Sequence, residues 1–75
     1  MSQRLVLIGG SGFIGQSLIR YLEENNLREK YLVVIYDPSP PQFFQPDLYI
    51  PGKVEELEKI ENLIKEQDII IYLAY

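Results

Sequence analysis

Apolar residues in this chain come in two patterns. Leu5-Val6-Leu7-Ile8 and Ile69-Ile70-Ile71-Tyr72-Leu73-Ala74-Tyr75 run with no polar residue between them. A strand covered on one face alternates, whereas an unbroken apolar run predicts burial on both faces, as in the middle of a parallel sheet. Elsewhere the spacing is three and four. From Phe13 to about Glu24, Ile14, Leu18, Tyr21 and Leu22 form one stripe, widened by Ile19. Gln16, Ser17, Arg20, Glu23 and Glu24 fill the opposite side of that helix. Ser11 is a candidate cap, and Asn25-Asn26 reads as the stop. From Lys53 to Gln67 the pattern repeats with Val54, Leu57, Ile60, Leu63 and Ile64. Its other side carries Glu55–Lys59 and Glu61–Lys65 at i, i+4, the mark of a solvated face.

Two further strands lie between these helices. Tyr31 to Tyr36 is rich in β-branched and aromatic residues and closes on Asp37. Leu48-Tyr49-Ile50 is short, is expected at a sheet edge, and ends at Pro51-Gly52. Pro38, Pro40, Pro41 and Pro46 rule out a helix between the two. In that loop Phe43 and Phe44 either pin the chain on the sheet or cover a ligand's aromatic face. The order β-α-β-loop-β-α-β predicts an α/β fold with a parallel sheet of four strands in the order 3-2-1-4. That is the N-terminal half of a doubly wound fold, a single partial domain over residues 1–75.

The turn after the first strand carries the chemistry. Gly9, Gly10, Gly12 and Gly15 satisfy both G-x-G-x-x-G and G-x-x-G-x-x-G. In such a motif one glycine makes the turn, one lets a diphosphate approach the backbone, and one lets helix and strand pack closely. The free N–H groups and positive dipole end of the following helix attract phosphate. Asp37 stands 22 positions after Gly15, at the end of the second strand. A carboxylate there accepts hydrogen bonds from ribose hydroxyls and repels a 2′-phosphate, which points to NAD over NADP. A glycine-rich β–α turn can also bind nothing; the strand, helix and acid in their right places argue for the ligand.

Composition narrows the alternatives. A net charge of −4 without a basic cluster argues against nucleic acid or an anionic membrane as partner. With no cysteine and no histidine, disulfides, thiolate chemistry and the commonest metal ligands are excluded. The apolar run after Arg4 breaks at the glycines, unlike a signal sequence, and no run is long enough to cross a bilayer. A cytoplasmic location is the default.

Taken together, I-G-G-S-G-F-I-G, V-V-I-Y-D and D-I-I-I-Y-L-A-Y resemble the N-terminal segment of extended short-chain dehydrogenases/reductases. This is the NAD-dependent epimerase/dehydratase group, many of whose members act on nucleotide sugars. The resemblance spans residues 4–75. It implies that Gly9, Gly12 and Gly15 are the glycine motif and that the amides of Phe13 and Ile14 face the pyrophosphate. It implies also that Asp37 holds the ribose and that Leu73 and Ala74 lie along the cofactor. Three positions depart from the family: Ile8 where threonine is frequent, Gly52-Lys53 where Gly-Asp is common, and Tyr72 where histidine is frequent. The family's catalytic Tyr-x-x-x-Lys pair lies well beyond the fourth strand. This chain is read as lacking it, so no residue is assigned a catalytic role. The expected function is a NAD-binding module, the front part of a longer enzyme or a shortened gene product. A dinucleotide-binding regulator or redox sensor, and a remnant without cofactor, are the alternatives. The open edge of the strand at 69–73 is expected to self-associate or to take a partner segment.

Overall fold

The computed structural model describes residues 3–73, and Met1, Ser2, Ala74 and Tyr75 lie outside the described set. The elements are β1 (Gln3–Ile8), α1 (Phe13–Glu24), β2 (Tyr31–Asp37), β3 (Leu48–Pro51), α2 (Leu57–Leu63) and β4 (Ile69–Tyr72). All four strands are parallel, in the order β3-β2-β1-β4. This is the α/β architecture and strand order that the alternation of strands and helices implies.

The register explains the core. Leu5 and Leu7 of β1 align with Val33 and Ile35 of β2, so their side chains share one face. Ile19 and Leu22 of α1 cover that face. Val6, Ile8, Val34 and Tyr36 form the opposite face, against which Val54, Ile60 and Leu63 pack. β1 is therefore buried on both sides, as its unbroken apolar run requires. Burying one such side chain contributes roughly 1.5–3 kcal/mol.

Three expectations change. α1 keeps its length but is rotated: Ile14 and Tyr21 are exposed, and Gln16, only 8% exposed, faces inward. The reason lies in the proline-rich loop, whose backbone at Phe43 and Phe44 bonds to the Gln16 side chain. Gln16 Oε1 accepts hydrogen bonds from Phe43 N at 3.1 Å and Phe44 N at 2.8 Å, and its Nε2 donates to Phe44 O at 3.1 Å. A buried amide with both ends satisfied does what an aliphatic residue there would not.

α2 is shorter than the apolar spacing from Lys53 to Gln67 suggests. The Lys53 amide donates to Glu56 Oε1 at 2.9 Å, making a turn ahead of the helix. At the other end the chain leaves helical geometry at Ile64, and Gln67 takes a positive φ of 75°. Asp68 Oδ2 accepts from Lys65 N at 2.9 Å and fixes the turn into β4. Arg4 Nε lies 3.2 Å from Asp68 Oδ1, within ion-pair reach though not aimed as a hydrogen bond, and Arg4 donates to Leu63 O at 3.0 Å. The sheet thus stops the helix. Lys59 pairs with Glu56 at 3.2 Å, and Lys65 lies past the helix end, so neither expected i, i+4 pair forms on α2.

β4 is not buried on both faces. Ile69, Ile70 and Tyr72 are exposed, because among the described residues β4 pairs with β1 alone and is an outer strand. Leu73 N still donates to Ile8 O at 2.7 Å, extending the ladder by one residue.

Tyr36 is fully buried, and its hydroxyl donates to Lys53 O at 2.8 Å. Burial raises its pKa above 10.0, and the nearby Glu56 carboxylate acts in the same direction. A raised phenol pKa means the folded chain holds its proton longer than the unfolded chain. The stability this group contributes is then fully present below about pH 10 and is lost as pH rises beyond it. Melting temperatures between about pH 8 and about pH 11 are expected to drop, and less steeply in Tyr36→Phe. An identical drop in both proteins would contradict this.

Candidate functional site

The glycine turn has a distinct reason at each position. Gly9 adopts a φ of 84°, which a residue with a Cβ avoids, and its amide donates to Tyr36 O at 2.8 Å. A Cβ on Gly10 would sit 2.6 Å from Leu7 Cβ, so this glycine is needed for packing beneath the turn. A Cβ on Gly15 would collide with the Gly10 carbonyl, which is how α1 comes so close to the turn. Gly12 differs from these: a Cβ there would meet nothing within 4 Å. Its lack of a side chain serves no contact inside the chain and keeps an approach to the backbone open.

Gly12 is also the N-cap of α1, with no side-chain cap. Ser11 does not take that role, since its hydroxyl donates to Ser39 O at 2.6 Å instead. The first intrahelical bond runs from Gln16 N to Gly12 O at 3.0 Å. The amides of Phe13, Ile14 and Gly15 precede it and point out of the helix start. Phe13 is 86% exposed, so the turn opens on solvent.

Asp37 closes β2 beside this turn. Its Oδ2 accepts from Ser11 N at 3.3 Å and its Oδ1 from Ser39 N at 2.9 Å. The Tyr49 hydroxyl donates to Asp37 O at 3.0 Å and fixes the backbone beneath. Each carboxylate oxygen keeps a lone pair for another donor.

Grooves flank Asp37 on two sides. One, about 500 Å³, runs past Gly9, Gly12, Asp37, Lys53, Val54 and Leu73. A smaller one of about 340 Å³ continues it along Phe13, Ile14 and Gly15. The other side of Asp37 holds a groove of about 480 Å³. These lie at the carboxyl ends of the parallel strands, where α/β sheets of this order bind ligands. Gly9, Gly12, Phe13, Ile14, Gly15, Asp37 and Leu73 therefore come together at one end of the sheet. Ala74 lies outside the described residues.

No protein-family model and no curated protein matches this sequence.

The expectation that the chain lacks Tyr-x-x-x-Lys needs a correction. Tyr49 and Lys53 have that spacing. The spacing works for catalysis on a helix, where i and i+4 stand one above the other. Tyr49 instead lies in β3, Lys53 lies beyond the strand end, and the Tyr49 hydroxyl is committed to Asp37 O. Tyr49 thus braces the backbone of Asp37, and the two side chains do not stand one helical turn apart as the motif requires. Gln16 and Ser39 were not legible as site residues, because both act through the backbone of the proline-rich loop. Among the described residues no helix is long and apolar enough to cross a membrane, and no cluster of three or more His, Cys, Asp or Glu could hold a metal.

Proposed function

We propose that this chain binds NAD as a dinucleotide-binding module of the epimerase/dehydratase type. Gly12, Phe13 and Ile14 would hold the diphosphate, Asp37 the ribose hydroxyls, and Leu73 the wall along the remainder. The single observation that carries this reading is the contrast among the glycines. Gly9 and Gly15 are required by the fold, while Gly12 leaves open space above a helix start. NAD when bound supplies a hydride acceptor; the residues of this chain bind and orient it. A cytoplasmic location goes with the reading, as the default for a chain without cysteine.

The preference for NAD over NADP has an electrostatic basis. Among the residues lining the grooves on either side of Asp37, Lys53 is the one cation, and the groove on the Ser39 side has none. A 2′-phosphate on the Ser39 side of Asp37 would face a carboxylate with no cation lining that groove. Calorimetric titration is expected to give saturable heat with NAD and at least about tenfold weaker binding of NADP. Equal affinities would contradict the assignment of Asp37.

Nothing within these residues is placed as an acid/base couple, and this favours binding without turnover by the chain itself. A regulator that reports the redox state of the dinucleotide is the second reading. It requires NAD⁺ and NADH to bind with different affinities.

The reading extends to a partner. Ile69–Leu73 contains neither proline nor lysine, the residues that usually protect an edge strand. Its outer backbone edge has no neighbour among the described residues, and Tyr72 is 60% exposed. Added strands from a second copy are the expected result. Light scattering should show mass rising with concentration, and a monomer at every concentration would contradict it.

A further inference from the structure

The proline-rich loop carries two adjacent phenylalanines that the fold treats in opposite ways. Phe44 is half-buried and packs against the cluster of Leu5, Ile19 and Ile35. It supplies the pinning that the loop needs. Phe43 is 77% exposed. Its backbone is nonetheless fixed, because the buried amide of Gln16 bonds Phe43 N, Phe44 N and Phe44 O. Hydrogen bonds to a buried group are costly to break, so the clamp holds the ring on a rigid mount. Nothing in the packing of the loop requires an aromatic ring in water at this position.

The ring faces a use. Phe43 lines the groove of about 480 Å³ together with Ser11, Gly12, Asp37 and Ser39. That volume lies within the range of small-ligand sites. Its lining holds both an aromatic ring and a carboxylate braced by two backbone amides. A ligand that matches both carries a flat π face joined to a vicinal diol, which is the chemistry of a nucleoside.

We propose that Phe43 is the stacking platform for the purine base of the nucleotide whose ribose Asp37 holds, and that it sets a preference for purine over pyrimidine nucleotides. This rests on the ribose-binding role of Asp37 argued above. A purine presents the larger face to the ring, and stacking on an aromatic side chain is a major share of binding for an otherwise shallow site.

The chain contains no tryptophan, so Phe43→Trp introduces a single indole at the platform. Its fluorescence is expected to be quenched by NAD and AMP and much less by CMP. Phe43→Ala is expected to weaken NAD and AMP about tenfold and to remove the difference between AMP and CMP. Its thermal unfolding should match that of the unsubstituted chain, because the ring is exposed. If Phe43→Ala binds NAD with unchanged affinity and the indole does not respond to saturating NAD, the platform is overturned while the role of Asp37 stands. If Asp37→Ala leaves NAD and AMP binding intact, or if the unsubstituted chain binds neither, the ribose reading falls and the platform falls with it.

Discussion

Gly15→Val is expected to abolish folding: circular dichroism of the variant should show no cooperative thermal transition. The physical reason is a collision between two backbones. A Cβ at position 15 would run into the carbonyl group of Gly10, with Gly10 Cα at 2.6 Å. A flexible side chain could rotate away from such a clash, but the turn cannot. It is held by the bond from Gly9 N to Tyr36 O and by Gly10 packed on Leu7. α1 must then lift off the sheet, taking Ile19 and Leu22 out of the core. Overpacking alone costs about 1–3 kcal/mol where neighbours can shift, and more where they cannot. A chain of 75 residues holds roughly 4–11 kcal/mol in total, with short chains toward the low end. A transition within about 5 °C of the unsubstituted chain would show that the helix is not held against the turn as described.

Gly12→Val has the opposite signature. The position has open space and a φ of −79°, which any residue adopts. The fold should lose only about 1 kcal/mol, the difference between glycine and a branched residue at an N-cap, or about 4–8 °C in melting temperature. Binding should be lost, since the branched side chain would stand where the proposal puts the diphosphate, over the amides of Phe13 and Ile14. No calorimetric heat with NAD is expected from a variant that is still folded. Unchanged affinity would mean that the ligand does not use the helix start. The two variants separate the structural glycine from the one proposed to bind, which composition alone cannot do.

Much of this was legible in the sequence for one reason: alternating strands and helices leave few ways to build a sheet. The buried strand β1 and the helix α1 follow from apolar spacing, and the edge placement of β3 from its shortness and the proline that ends it. Gly9, Gly10 and Gly15 were legible because each serves a local requirement of the turn, whereas Gly12 serves none within the chain. What escaped was set by distant partners. Gln16 reads as a surface residue of α1 until the proline-rich loop, 27 and 28 positions away, is seen to need its amide. The apolar spacing of α2 continues past Leu63, but Arg4 and Asp68 fix where the chain must turn into β4. Ile69–Tyr72 has the composition of a central strand and the position of an outer one, because burial depends on neighbours and not on composition. Tyr49 and Lys53 show the converse risk. Their spacing matches a catalytic motif, and only the strand beneath Tyr49 and its bond to Asp37 remove the meaning.

Titration of the isotope-labelled chain with NAD, followed by amide chemical shifts, tests the central claim most directly. The account predicts that the largest changes fall on Gly12, Phe13, Ile14, Ser11 and Ser39, the amides at the helix start and those that brace Asp37. Changes concentrated at the opposite end of the sheet, around Lys30 and Asp68, or no changes at saturating NAD, would contradict it.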